Sequence, residues 1–579
     1  MKSSCGSSLL LASILSLGLV SANPLVPRAL KVSTDGSCGG TTTCQGSTFG
    51  NCCSQYGWCG SSSAYCGTGC QPAFGTCSGS PSTVKPTSTL KPTSTAKSTS
   101  TGSATPTATS LTDCLNSKNI PISLITSPDY ASLAEPFNTR LPYKPVVIVL
   151  PITAQHVQDA VICASKAGVK VQAKSGGHSY ASYSSGGKDG SMMIDLQPMQ
   201  GVKLDTTTGI VTVGGGVRLG NLAKGIYDQG KRALPHGTCP GVGIGGHSTH
   251  GGYGHTSRNW GLALDTIVAA DVVLANGTLV KCSKTQYPDI FWAIRGAADS
   301  FGVIVNFYMQ TNVAPTAITY FAFSWSNMFG SKQTFTNTFL HIQDFGKNAS
   351  VIDSRISFGI YMDGSTYNLG GTFFGTVDEF NSKIKPELLR SLPAPTTTTV
   401  KSLGWIDYLV LLSDKTTIEE PLTGYDEHDN FFAKSITVPE ASGGLTATTL
   451  NAFYDQVKTA GSVSWFVIIN LYGGPKSSIN DPSKDTNFAA YNDRDSLWVL
   501  QNYGETAASI PFINGINNAI TKAQPNTNFG AYLNYVDPSL DAATAHKVYY
   551  GDALYARLLA LKKTVDPTSV FWNPQAIGA

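Results

Sequence analysis

The sequence predicts an α+β chain with a small disulfide-rich module in front, and three observations carry that expectation. Eight of the thirteen cysteines fall between Cys38 and Cys77. Strand-like and helix-like segments alternate after Cys114, and from about residue 316 to 475 aromatic and β-branched residues alternate instead. The first pattern reads as a disulfide framework and the second as a mixed sheet with helices. The third suggests an antiparallel sheet with helices on one side.

The 579 residues leave room for two or three compact units and a sizeable core. A net charge of +3 with 13% charged residues argues against a nucleic-acid binder, which needs a dense basic stripe. At the N-terminus Lys2 precedes an apolar run from Leu9 to Val20, which closes on Val20-Ser21-Ala22. That is the layout of a secretory signal peptide over residues 1–22, and it is too short for a good membrane span. The chain is therefore expected to be secreted and extracellular, with no membrane partner and with paired cysteines. Asn276-Gly277-Thr278 and Asn348-Ala349-Ser350 are glycosylation sequons.

A unit of about 40 residues cannot build an adequate apolar core. Over 36–77, four disulfides among Cys38, Cys44, Cys52, Cys53, Cys59, Cys66, Cys70 and Cys77 are expected to replace one. Residues 78–112 are dominated by Ser, Thr, Pro, Lys and Ala and read as an extended, O-glycosylated tether. Beyond it, Val146 to Leu150 reads as a buried strand, and Thr153 caps a helix from Ala154 to Ala167 that stops at Gly168. Val169 to Ala173 is a second strand, delivering the chain to Ser175-Gly176-Gly177-His178. Further strands are expected at Met192 to Leu196, Ile210 to Val213 and Ile267 to Leu274.

In the small module, Cys52-Cys53-Ser54-Gln55-Tyr56-Gly57-Trp58-Cys59-Gly60 is followed by Tyr65-Cys66. This run resembles the hevein-like chitin-binding domain, cysteine spacing included. The resemblance implies that Ser54, Tyr56, Trp58 and Tyr65 form a platform for N-acetylglucosamine rings. Aromatic faces stack on the apolar faces of such sugars while a hydroxyl fixes the acetamide.

Two glycine-rich segments dominate the large region: Lys174-Ser175-Gly176-Gly177-His178-Ser179-Tyr180, and His236 to His247 continuing to Gly251-Gly252-Tyr253-Gly254. Glycines let the backbone approach a pyrophosphate and aim N–H groups at it. Gly241-x-Gly243-x-x-Gly246 fits the dinucleotide fingerprint, with Asp265 at the spacing of a ribose ligand. No apolar strand leads in, however, and a glycine-rich stretch is expected to follow in place of a helix, so a Rossmann site is rejected. His247, His250 and His255 lack carboxylate neighbours and helical spacing, and no metal is expected. Pro240 and its glycines place Cys239 in an exposed loop.

Together these segments resemble the berberine-bridge-enzyme-like branch of the FAD-linked oxidases, in its glucooligosaccharide and chitooligosaccharide oxidase group. Supporting stretches are Asp289 to Gly296, Ser300 to Ile304, Tyr472-Gly473-Gly474, Tyr532 to Asp537, Asp566 to Phe571 and Asn573-Pro574. The resemblance implies a two-part FAD-binding fold of the vanillyl-alcohol-oxidase/PCMH type over 113–315, a substrate domain with an antiparallel sheet over 316–540, and a C-terminal return over 541–579. It also implies FAD held twice, through His178 at the 8α-methyl and Cys239 at C6. Two tethers raise the flavin's reduction potential. Ser175, Gly176, Gly177, Ser179, Val242, Gly243, Gly246, His247, Gly252 and Tyr253 would surround the cofactor. Val242 matches the oxygen-gating position of oxidases, and Cys114 and Cys163 match the family's disulfide, leaving Cys282 as a buried thiol.

By the same resemblance Tyr535 removes the anomeric proton while C1 passes hydride to flavin, and Tyr180, Gln501 and Tyr532 line the cleft. The product is a lactone that hydrolyses to an aldonic acid, and molecular oxygen returns the flavin with release of hydrogen peroxide. One position departs from the pattern: Asn470 stands where the family's sugar oxidases carry the aspartate that assists the tyrosine. An amide can orient a phenol but cannot take its proton. Three readings stay open here: an oxidase of chitooligosaccharides, a chitin-binding protein with a weak flavin domain, and an oxidase of a non-sugar alcohol. The tether and the large core are compatible with a monomer.

Overall fold

The computed structural model describes residues 30–34, 36–39, 42–54, 57–67, 70–77 and 108–579. The signal-peptide segment, nearly all of the tether and Tyr56 of the expected sugar platform lie outside the described residues. The chain divides into two units, one holding the small module and one holding everything from Ala104 onward.

Four disulfides hold the small unit: Cys38–Cys53, Cys44–Cys59, Cys52–Cys66 and Cys70–Cys77. The sulfurs of Cys38, Cys44, Cys53 and Cys59 are the core that so short a segment cannot assemble from apolar side chains. Trp58 is 54% exposed on this unit. Ser54 is buried, and its hydroxyl accepts from the Trp58 amide at 3.3 Å, so it shapes the turn that presents the indole. Tyr65 is half-buried on Gly60, where any added Cβ would meet its ring at 2.3 Å.

The large unit begins as the local signals dictate. Thr153 accepts from the His156 amide, the helix runs Ala154–Ala167, and Gly168 ends it at φ 67°. The Cys114–Cys163 disulfide ties this helix to the helix Ala108–Ser117. Its buried stripe (Val157, Ala160, Val161, Ala164) packs on a four-stranded sheet ordered Ile122–Leu124, Val147–Val149, Met192–Asp195, Val171–Lys174. Val147–Val149 and Val171–Lys174 both run parallel to Met192–Asp195. A five-stranded antiparallel sheet follows, ordered Leu279–Ser283, Ile267–Val273, Val303–Gln310, Ile210–Gly214, Val202–Asp205. Buried Cys282 carries a free thiol.

The central region is a seven-stranded antiparallel sheet ordered Thr397–Leu403, Ile318–Trp325, Tyr367–Phe373, Ile356–Met362, Trp465–Leu471, Ser496–Glu505, Phe431–Pro439. Period-two alternation splits its side chains. Trp465, Val467, Ile469 and Leu471 join the core formed with helices Lys332–Lys347, Ala447–Val457 and Ile510–Ala523. Phe466, Ile468 and Asn470 point to the other face, as do Gln501 and Tyr503 on the neighbouring strand. That face is one wall of the site.

The C-terminal helix Gly551–Val565 leads the chain back to the four-stranded sheet, where the Val171 amide donates to the Val570 carbonyl at 2.8 Å. Buried Lys562 fixes the return by donating to Asp566 at 2.6 Å and to the carbonyls of Ser300 and Phe571. Two expectations are corrected. A six-residue helix, Ile244–Thr249, does follow Gly243, because the backbone curls against the cavity instead of staying irregular. Cys239 is not in an exposed loop: it is half-buried, Pro240 and Gly241 are buried, and the segment lines the cavity. No helix among the described residues is long and apolar enough to cross a membrane.

Candidate active site

A cavity of about 340 Å³ opens between the two glycine segments and the seven-stranded sheet. Ser175, Gly176, Gly177, His178, Ser179, Val242, Gly243, Gly246, His247 and Tyr253 line one side of it, and Tyr180, Asn470, Gln501, Tyr532 and Tyr535 line the other. Gly252 sits one layer back, its amide donating to the Tyr532 hydroxyl at 2.9 Å.

The glycine segments meet backbone to backbone. A Cβ on Gly176 would lie 2.2 Å from the Gly243 nitrogen, and one on Gly243 would lie 2.0 Å from the Gly176 nitrogen. Only glycine allows this approach. Among the described residues, no protein acceptor meets the backbone N–H of Gly176, Gly177, His178 or Ser179. Four consecutive N–H donors without a described protein acceptor, in residues that line the cavity, suit an anion. The Ser175 hydroxyl stitches the two loops, donating to the Gly215 carbonyl at 2.6 Å and accepting from the Gly245 amide at 3.1 Å. This donor set fits the pyrophosphate and ring of a flavin dinucleotide.

His178 stacks on Phe137 at 4.2 Å, and its Nε2 lies 3.0 Å from the Tyr425 hydroxyl. Burial, then the charges of Arg218, Lys415 and His428, push its pKa down to about 3, so the imidazole is neutral. Cys239 lines the same cavity. His247 accepts from the Gly237 amide at 3.1 Å and is held near a pKa of about 3 by burial and by His236. His255 is fully enclosed and His250 pairs with Asp299 at 3.3 Å. Asp265 is taken by Arg494 at 2.6 Å and Lys484 at 3.3 Å, which leaves it nothing to offer a ribose.

On the substrate side Tyr535 stacks on Tyr180 with ring centres 5.4 Å apart and meets the Tyr532 ring edge-on at 4.9 Å. The Tyr532 oxygen accepts from the amides of Gly252 and Tyr253 and from Asn534 Nδ2, at 2.9 to 3.1 Å. Tyr532 is thus a fixed wall. Gln501 donates to the Tyr180 hydroxyl at 2.6 Å. The Tyr535 hydroxyl makes no hydrogen bond to a described residue, which leaves it open to the cavity. Burial, then Tyr180, Tyr532 and Tyr253, raise its pKa well above the ordinary phenol value. Asn470 lies over Gly359, where a Cβ would come within 2.4 Å of its Oδ1, and no hydrogen bond joins it to Tyr535.

Sequence reasoning missed Phe137, Tyr425, Asp429 and Tyr503. Asp429 lines the cavity and accepts from the Tyr503 hydroxyl at 2.5 Å. Tyr503 follows Gln501 by two residues on one strand, so strand parity was a signal that could have found it. The other three sit on irregular segments.

An α+β chain with a buried, donor-lined cavity between a glycine cradle and an antiparallel sheet defines a flavin-dependent oxidoreductase. Family models described as "FAD binding domain" and "Berberine and berberine like" match residues 145–283 and 531–578. A xylooligosaccharide oxidase of Thermothelomyces thermophilus is 37% identical over 481 residues, covering 81% of this chain and 94% of that protein. A chitooligosaccharide oxidase of Gibberella zeae is 36% identical, with coverage of 81% and 94%. Among solved structures, glucooligosaccharide oxidase of Acremonium strictum, described with a 6-S-cysteinyl, 8α-N1-histidyl FAD, superposes with a TM-score of 0.75 at 30% identity. The alignment covers 81% of this chain and 99% of that one. The chain belongs to the berberine-bridge-enzyme-like family of FAD-binding oxidases.

Proposed function

We propose that this enzyme is a secreted carbohydrate oxidase that oxidises the reducing-end C1 hydroxyl of an oligosaccharide, chitooligosaccharide above all, to a lactone with release of hydrogen peroxide. The observation that carries the reading is Tyr535. Its ring is held by stacking and its hydroxyl has no hydrogen-bond partner among the described residues, in the cavity that His178 and Cys239 also line. Similarity to oxidases of several oligosaccharides supports the substrate class, and the cysteine-rich module with exposed Trp58 supports chitin as the polymer.

His178 and Cys239 would hold FAD covalently, and the amides of 176–179 would take its phosphates. Bound flavin supplies the two-electron acceptor for C1 and passes the electrons to oxygen. Tyr535 takes the proton of the C1 hydroxyl. Tyr180 and Tyr532 fix the ring plane from which it acts, and Gln501 anchors Tyr180. Asn470, on the sheet wall, supplies an amide where a carboxylate would accept a proton, and turnover is accordingly slow at low pH.

The direct test is an anaerobic mixture of the purified protein with chitotriose, followed by the flavin's visible absorbance and then by admission of air. Bleaching, recovery and peroxide are expected. A flavin that stays oxidised with chitotriose but bleaches with xylobiose would move the substrate assignment. One that responds to no sugar would overturn the reading.

A further inference from the structure

The segment between the helix Trp405–Ser413 and the strand Phe431–Pro439 is a strap laid across the second glycine loop. Its carbonyl at Ile418 fits only over Gly220, where a Cβ would lie 1.7 Å away. Asn221 clamps Glu420 by accepting from its amide at 2.9 Å and donating to its carbonyl at 3.0 Å. Tyr425 passes over Gly241 so closely that a Cβ there would sit 1.8 Å from the phenol oxygen, and the Arg218 guanidinium covers its ring at 3.7 Å. Two glycines and an arginine thus serve to place one tyrosine, whose hydroxyl reaches His178.

We propose that Glu427 and Tyr425 fix the tautomer of His178, so that Nδ1 carries the lone pair that forms its bond to the flavin. The proposal rests on the reading of His178 as an attachment point. An ionised carboxylate only accepts hydrogen bonds, and a phenol has one proton. Lys415 forms ion pairs with both Glu420, at 2.7 Å, and Glu427, so a cation faces each carboxylate. Tyr425 spends its proton on Glu427 Oε2 at 2.7 Å. Its oxygen is therefore an acceptor toward His178, and Nε2 at 3.0 Å must be the donor. A neutral imidazole has one N–H, so with Nε2 protonated Nδ1 is not. Nδ1 has no hydrogen-bond partner among the described residues, and His178 lines the cavity.

In the net step a bond forms between Nδ1 and the 8α carbon, and the methyl C–H and the imidazole N–H are given up. The Nε2 proton leaves along Tyr425 toward Glu427. Two electrons and two protons pass in the end to molecular oxygen, giving hydrogen peroxide. Tyr425 and Glu427 are positioning residues in this step and do not touch the sugar.

The test uses the purified flavoprotein, unfolded in acid and digested, with the masses of the His178 and Cys239 peptides giving the flavin at each tether. Tyr425→Phe is expected to lower the flavinylated fraction at His178 at least about tenfold, the equivalent of 1.4 kcal/mol. Flavin at Cys239 should persist, because a general structural fault would empty both tethers. Glu427→Gln, at a side chain 38% exposed, alters charge with little change of shape, removes the fixed direction of the hydrogen bond, and should lower the same fraction. Wild-type occupancy of His178 in both variants would overturn the proposal. So would loss in Tyr425→Phe with full occupancy in Glu427→Gln, since the direction of the hydrogen bond would then not matter. An unmodified His178 peptide in the wild-type protein would instead overturn the attachment reading itself.

Discussion

The rings of Tyr535 and Tyr180 lie 15° from parallel, 5.4 Å between centres, with Gln501 bonded to the Tyr180 hydroxyl and nothing described bonded to that of Tyr535. One phenol is fixed and the other is presented. Tyr535→Phe keeps the stack and removes only the presented oxygen. The turnover number should fall by about 10²- to 10⁴-fold, the usual contribution of a positioned acid or base. The flavin content and KM should stay close to wild type, as steady-state kinetics and the visible spectrum would show.

The same phenol sets a pH dependence. Burial, followed by Tyr180, Tyr532 and Tyr253, disfavours its anion and raises its pKa well above 10. Below that pKa the proton-accepting form gains about tenfold per pH unit, so kcat/KM of the wild-type enzyme should climb from pH 6 to pH 9. A flat profile across that range would remove Tyr535 as the base.

Asn470→Asp places a carboxylate on the same wall. In the native cavity Asn470 does not bond Tyr535, so any gain comes from a proton acceptor able to take what the phenol releases. Turnover near pH 6 should rise by about tenfold and the pH profile should flatten. A buried carboxylate without a partner costs stability, and the melting temperature should drop by several degrees. An unchanged profile would show that position 470 is not where the phenol's proton goes.

What the sequence made legible follows from how local the signal is. Thr153 and Gly168 bound the helix Ala154–Ala167 because capping is decided within a few residues. Asn470 and Gln501 reach the cavity because strand parity fixes their face once the sheet is known. Asp429 carried no such signal. It enters the site on an irregular segment, its backbone carbonyl accepting from Thr139 across 290 residues of sequence. The tautomer relay depends on glycines 220 and 241 receiving that same segment, a use the sequence does not separate from close approach to a cofactor.

The two glycine loops make a paired prediction. Gly243→Ala drives a methyl into the Gly176 backbone at 2.0 Å and should cost about 1–3 kcal/mol of stability together with the flavin. Gly246 faces open space in the protein, with nothing within 4 Å of an added Cβ, although it lines the cavity. Gly246→Ala should therefore fold as well as wild type and still hold less flavin. Melting curves and the ratio of visible to ultraviolet absorbance separate the two effects. Full flavin in Gly246→Ala would mean that the cofactor does not use that space.

Trp58 tests the small module on its own. Its indole is 54% exposed on a unit whose interior is disulfide sulfur, so removing it leaves the framework intact. Loss of one stacking face is worth about 1.4 kcal/mol, or about tenfold in affinity. Trp58→Ala should release the protein from insoluble chitin at about a tenth of the wild-type affinity in a sedimentation assay. Turnover of soluble chitotriose should not change, because the described residues that line the cavity belong to the large unit. Undiminished retention on chitin would take Trp58 out of the sugar platform, and a parallel loss of turnover would show that the module takes part in catalysis.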